Sequence, residues 1–120
     1  TQPNQEEEKE IPFMELLANA DLSKGKKVFG KCKACHKLGD GENGTGPHLY
    51  NIIDREMAVI SDFKYSSSFK DLNGNWTYDE LNQFLTKPSN YVKGTAMNFA
   101  GLGKVSDRAN LIAYLEDSTK

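Results

Sequence analysis

"KCKACHKLGDGENGTGPHL", residues 31–49, holds both cysteines of a 120-residue chain, Cys32 and Cys35, and both of its histidines, His36 and His48. Four chemistries could use such a cluster. Two Cys and two His match the ligand count of a zinc site, but His36 follows Cys35 directly, whereas zinc-binding histidines come as a spaced pair well after the cysteines. A redox dithiol belongs at a strand-to-helix junction, and no apolar β-branched run precedes Lys31. A plain Cys32–Cys35 disulfide could close across one helical turn, yet it leaves His36 unexplained. The fourth uses all three residues: C-x-x-C-H is the attachment signature of c-type haem. Cysteines three apart share one face of a helical turn, so each thiol can add to one vinyl group of a porphyrin edge. The next residue is then carried under the ring, where an imidazole can bind iron as the proximal ligand.

Composition agrees with a protein that holds a cofactor. A chain of this length makes one domain, and only 38% of its residues are hydrophobic, so side chains alone would build a thin core. A buried porphyrin supplies apolar surface. No run approaches the ~18 apolar residues needed to cross a membrane. With no initiator Met and no signal-peptide pattern, the chain reads as mature or trimmed.

The net charge of −2 hides an asymmetry. Residues 1–20 carry five glutamates against Lys9, a balance of −4, and the remaining hundred carry +2. The first ten, "TQPNQEEEKE", have no hydrophobic side chain and read as a solvated linker. "IPFMELLANA" follows and reads as an arm packed on the body. Residues 1–20 are therefore expected to be an acidic linker and arm, and 21–120 the folded domain.

From Asp21 the pattern is helical. Asp21 or Ser23 can cap a helix running to about Lys37, with Leu22, Phe29 and Cys32 near one face. Gly25 weakens that helix and predicts a second backbone crossing close by. Residues 39–50 form a Gly-rich loop. Thr77-x-x-Glu80 has the form of a capping box, opening a helix that buries Leu81, Phe84 and Leu85 and stops before Pro88. Ser106 is expected to cap a last helix that buries Leu111, Ile112 and Leu115. Nothing alternates with period two, so the expected fold is all-α with long loops. Such loops need a reason in a compact domain, and wrapping a flat disc is one.

The wrapper on the far side is expected in residues 87–103, "KPSNYVKGTAMNFAGLG", where Met97 offers a thioether as sixth ligand. Met14 lies in the arm, and Met57 reads as core filling. His48 is the rival, making a bis-histidine site, but it lies only twelve residues after His36 and beside Pro47.

In that order, "KGKKVFGKCKACH", "GTGPHLYNIIDR", "FKYSSSFK", "WTYDELNQFLTKPSNYVKGTAMNFAGL" and "DRANLIAYL" resemble a class I cytochrome c, over roughly residues 21–117. Within that family the chain is most similar to bacterial membrane-anchored cytochromes c that link the bc complex to a terminal oxidase. The resemblance implies the class I cytochrome c fold around one haem c, attached through Cys32 and Cys35, with His36 and Met97 as iron ligands. It implies that the Pro47 carbonyl accepts the other imidazole N–H, and that Arg55, Tyr65, Trp76 and Thr95 lie near the haem propionates. It implies that Gly25, Phe29 and Tyr114 mark the crossing of first and last helices. It further implies a one-electron carrier rather than an enzyme, on the periplasmic side of the inner membrane, whose missing N-terminal anchor would precede the acidic linker. No nucleic-acid partner is expected.

Two departures from the family pattern stand out. Phe84 occupies a position where many relatives have a tyrosine, and it cannot donate a hydrogen bond. Ser89, Asn90 and Ala96 stand where many relatives carry lysines of the docking ring. Lys24, Lys26, Lys27, Lys31, Lys33 and Lys37 form a substitute, six cations with no acid between Leu22 and Gly39. Of these, Lys26, Lys27, Lys31 and Lys33 are expected to dock the bc-type complex and the cytochrome c oxidase.

Overall fold

Asp21 starts the first long helix: its carboxylate accepts from the backbone N–H of Ser23 (2.9 Å) and Lys24 (3.1 Å), satisfying two donors that a helix start leaves without partners. Those bonds hold the Asp21 carboxyl below its ordinary pKa, the Ser23 hydroxyl contributing most. The computed structural model describes residues 12–119 except 34, 45, 61, 62, 64, 66, 71, 94–96 and 98, and the side chain of 68. Its elements are α1 (Phe13–Ala18), α2 (Leu22–Phe29), α3 (Ser67–Lys70), α4 (Tyr78–Thr86), α5 (Pro88–Tyr91) and α6 (Val105–Thr119). Among the described residues the extended pairing is one isolated antiparallel bridge, Glu56–Asn75. The fold is all-α, as expected.

α2 ends earlier than its sequence pattern suggests. The expectation of helix to about Lys37 fails at Phe29, because Gly30, Lys31 and Cys32 each bond three residues back, to Lys27, Val28 and Phe29 (3.1, 3.0 and 2.8 Å). Bonds of that span tighten the chain into turns, although Lys33 N–H still reaches the Phe29 carbonyl four residues back (3.1 Å). α6 starts two residues earlier than expected. Arg108 N–H already bonds the Lys104 carbonyl (3.3 Å), so the helix begins at Val105 and Ser106 lies inside its first turn instead of capping it. Thr77 caps α4 as expected, its Oγ1 accepting from Glu80 N–H at 3.2 Å. The Glu80 carboxylate, however, takes the hydroxyl of Tyr91, so the reciprocal half of a capping box is not what it makes. α4 stops before Pro88, which opens α5 at a position where a missing N–H costs nothing.

The body is held by α2 crossing α6. Asp21 N–H donates to Asn110 Oδ1 (2.9 Å), and the Phe29 and Tyr114 rings meet at 5.8 Å. Gly25 sits at the crossing point, where a Cβ would lie 2.1 Å from the Asn110 carbonyl oxygen and 2.7 Å from Tyr114 Cβ. Phe13 and Leu17 of α1 pack against the same core, while Met14 is exposed. The acidic stretch before residue 12 lies outside the described residues. No helix among the described residues is long and apolar enough to cross a membrane.

Gly25→Ala tests the crossing. Alanine is the better helix former by ~1 kcal/mol, yet its methyl must push two backbones apart. The substitution should lower unfolding free energy by about 3 kcal/mol, the upper part of the range for overpacking. The check is a lower denaturant midpoint at unchanged slope.

Candidate haem site

The tight turns after α2 bring the C-x-x-C-H residues round in one coil. Cys35 and His36 N–H both bond the Cys32 carbonyl, at 3.0 and 2.9 Å. Cys32 is half-buried and Cys35 exposed, and both are free thiols. Burial pushes the Cys32 thiol above its ordinary pKa, against the opposing charge of Lys31. These sulfurs stand where the thioether sulfurs of an attached group would be.

His36 Nδ1 lies 2.8 Å from the Pro47 carbonyl oxygen. A carbonyl only accepts, so Nδ1 carries the proton and Nε2 is left with a free lone pair. Burial holds the imidazole below its usual pKa, the Pro47 bond opposes that, and Arg55 adds to the depression. A neutral ring with a fixed tautomer is what a metal ligand requires. Gly46 makes room for it: a Cβ there would sit 2.3 Å from His36 Cε1.

His36 faces a cavity of about 370 Å3. Cys32, Cys35 and Pro47 share its wall with His36, and Phe29, Ile52, Leu111 and Leu115 form an apolar floor. Met97, Phe99, Trp76 and Phe84 also line it. Of the competing methionines, Met57 is buried in the core and Met14 exposed, and neither lines this cavity. His48 is also buried but does not line it. Its Nε2 lies 3.9 Å from Asp40 Oδ1, and its carbonyl accepts from Arg55. The bis-histidine arrangement is therefore not the one assembled here.

Arg55, Tyr65 and Trp76 all line the cavity, and Thr95 lies outside the described residues. Arg55 Nη1 donates to the carbonyls of His48 (2.8 Å) and Tyr50 (3.2 Å). Its Nε is buried and has no partner within the protein. Burial lowers the Arg55 pKa, with Tyr65 opposing. A buried donor left over at a cavity wall calls for an acceptor on whatever fills that cavity. Tyr65 is turned so that its hydroxyl oxygen accepts from Ile60 N–H at 3.2 Å.

The residues fit haem. The walls are largely apolar, and two cysteines, an oriented imidazole, a thioether and an arginine with an orphaned N–H line them. They do not fit zinc, since no three His, Cys, Asp or Glu among the described residues are grouped to share a metal ion. Sequence reasoning missed the aromatic lining from Phe63 and Phe69 and the packing of Gly46 on His36. A signal existed for Phe69, four residues after Tyr65, and the two rings stack at 5.6 Å.

Residues 22–119 match the family description "Cytochrome c". The chain belongs to the cytochrome c family. It is similar to a cytochrome c homolog of Rickettsia bellii, 42% identical over 115 residues, which cover 95% of this chain and 66% of that protein. It is 49% identical over 96 residues to the cytochrome c-type cyt cy of Rhodobacter capsulatus, covering 79% of this chain and 48% of the relative. Among solved structures it resembles cytochrome cH from Methylobacterium extorquens, with a TM-score of 0.76 and 31% identity, over 82% of this chain and 99% of that one. The chain thus spans about half to two thirds of the length of these curated relatives. Its cofactor is one haem c, held covalently through Cys32 and Cys35, and cytochromes c are electron carriers rather than enzymes.

Covalent attachment has a direct readout. After denaturation in guanidinium the polypeptide should keep both the Soret absorbance and the added mass of haem. The Cys32→Ala/Cys35→Ala double variant should release it, as seen by intact mass spectrometry.

Proposed function

We propose that this domain carries single electrons from a bc-type complex to a terminal cytochrome c oxidase, on the periplasmic side of a bacterial inner membrane. In the full-length protein a membrane anchor would precede the acidic segment and keep the domain near both partners. The observation that carries the reading is the His36–Pro47 bond in a cavity that Met97 also lines. When bound, haem supplies a ferrous–ferric couple that exchanges one electron without bond making or breaking in a substrate.

The chain's own residues do the rest. Cys32 and Cys35 would anchor the haem, and His36 Nε2 and the Met97 sulfur would hold its iron. Pro47 keeps the imidazole in one tautomer and orientation. Arg55, Tyr65 and Trp76 would hold the propionates, a role the family pattern also gives Thr95, and the Arg55 Nε–H is a buried donor with no partner within the protein. Buried Phe29, Ile52, Leu111 and Leu115 exclude water, so little needs to reorganise when charge changes.

Docking is assigned to Lys26, Lys27, Lys31 and Lys33. All four are exposed, and Lys31 also lines the cavity, which puts positive charge where an electron would leave. An acidic partner surface complements such a group, and the attraction is long-ranged and screened beyond ~10 Å at 0.1 M salt.

Two measurements test this. Electron transfer to the oxidase should slow as ionic strength rises, and Lys31→Glu with Lys33→Glu should flatten that dependence; a wild-type rate indifferent to salt would exclude an electrostatic interface. Met97→Ala should keep the covalent haem but lose the weak far-red band of ferric iron–methionine bonding, admit carbon monoxide, and lower the reduction potential. His48→Ala should leave the band in place.

A further inference from the structure

We infer that Glu80 and Asn82 of α4 are positioning residues for Met97, each fixing one end of the segment that carries it. The inference rests on the reading of Met97 as the distal ligand. Along the chain, Met97 falls between two buried residues, Val92 and Leu102, each only 3% exposed. The entry side is tied through Tyr91, whose hydroxyl donates to the Glu80 carboxylate, and through Val92 N–H, which donates to the Pro88 carbonyl at 2.9 Å. The exit side is tied through Leu102, whose N–H donates to the Leu85 carbonyl (2.7 Å) and whose carbonyl accepts from Arg108 Nη1 (2.6 Å). Arg108 Nε in turn donates to Asn82 Oδ1 at 2.6 Å.

Both ties therefore end on one helix. At roughly 100° per residue, Glu80 and Asn82 fall on opposite flanks of the stripe Leu81, Phe84 and Leu85, which faces the cavity. α4 is thus the frame, its apolar face closing the cavity and its two polar flanks gripping the ends of the Met97 segment. The rings reinforce the entry side, with Tyr91 5.7 Å from Phe84 and 6.0 Å from Trp76. A thioether is an uncharged, weakly held ligand, so its competition with outside ligands depends on how tightly its loop is closed. Loss of either grip frees one end of the segment and lets the sulfur leave the cavity more often. Glu80 is half-buried, and desolvation first and the Glu80 bond second raise the Tyr91 pKa, so the phenol stays the donor in this bond.

The test is cyanide binding to the ferric holoprotein, with the far-red band and amide exchange at Val92 and Leu102 read alongside. Glu80→Ala and Tyr91→Phe should each speed cyanide binding about tenfold, the factor expected for one charge-assisted hydrogen bond. The double variant should be no faster than either single, since both remove the same bond. Glu80→Gln, which keeps an acceptor oxygen, should stay near wild type. Asn82→Ala should speed binding too, with faster exchange at Leu102. Tyr78→Phe is the control: it removes a phenol–carboxylate bond of the same kind, to Glu116 of α6, and should leave cyanide binding unchanged. Wild-type cyanide rates in Glu80→Ala and Tyr91→Phe, or an equal acceleration in Tyr78→Phe, would overturn the inference. Met97→Ala separates this from the ligand reading: if it retains the far-red band, the ligand assignment itself fails, whereas a lost band with unchanged Glu80 variants rejects only the positioning.

Discussion

One hydrogen bond, from His36 Nδ1 to the Pro47 carbonyl, fixes how the cavity is furnished. It sets the tautomer, points Nε2 inward, and ties the turn after α2 to the loop that follows. The same loop turns two more carbonyls, of His48 and Tyr50, onto Arg55, while the His48 and Leu49 N–H groups bond Asn43 Oδ1 (3.0 Å) and the Lys37 carbonyl (2.8 Å). A loop at a cavity wall must satisfy its backbone without a helix or sheet, and this one does so by gripping the two side chains that matter most there.

The thin apolar composition takes on meaning against that geometry. Phe29, Ile52, Trp76, Leu81, Phe84, Leu85, Leu111 and Leu115 are buried members of the core and also line the cavity. The core is a shell around a space rather than a solid packing of side chains. Its stability therefore depends on the group that fills the space, which the bonds through Cys32 and Cys35 keep on the chain in the unfolded state as well.

Much of this was legible in the sequence, and the reasons differ by feature. The C-x-x-C-H run carries its chemistry in adjacent residues, and Gly25 announces a close crossing because nothing else excuses a glycine in that helix. The end of α2 had a signal in Gly30, the C-cap directly after Phe29, but the Lys31–Lys33 run beyond it still reads as helix and hides the stop. Glu80 illustrates a different limit. The motif Thr77-x-x-Glu80 points to a local bond, but a tertiary partner, Tyr91, claims the carboxylate. Met97 could be singled out by the absence of a helical stripe around it. Arg108 could not, because a basic residue in a C-terminal helix reads as solvated until Asn82 and Leu102 are found beside it.

The α2–α6 crossing has a consequence for how the chain tolerates change. Asp21 meets Asn110 across 89 positions, so nearly the whole domain lies within one ring closed at this clasp. The entropy of closing such a ring rises only with the logarithm of its length, about 0.6 kcal/mol per doubling. Lengthening or shortening the segments strung around the ring is consequently cheap as long as the clasp holds. Variation in what surrounds the cavity can accumulate in the loops, while the small residue at the clasp has almost no freedom to change.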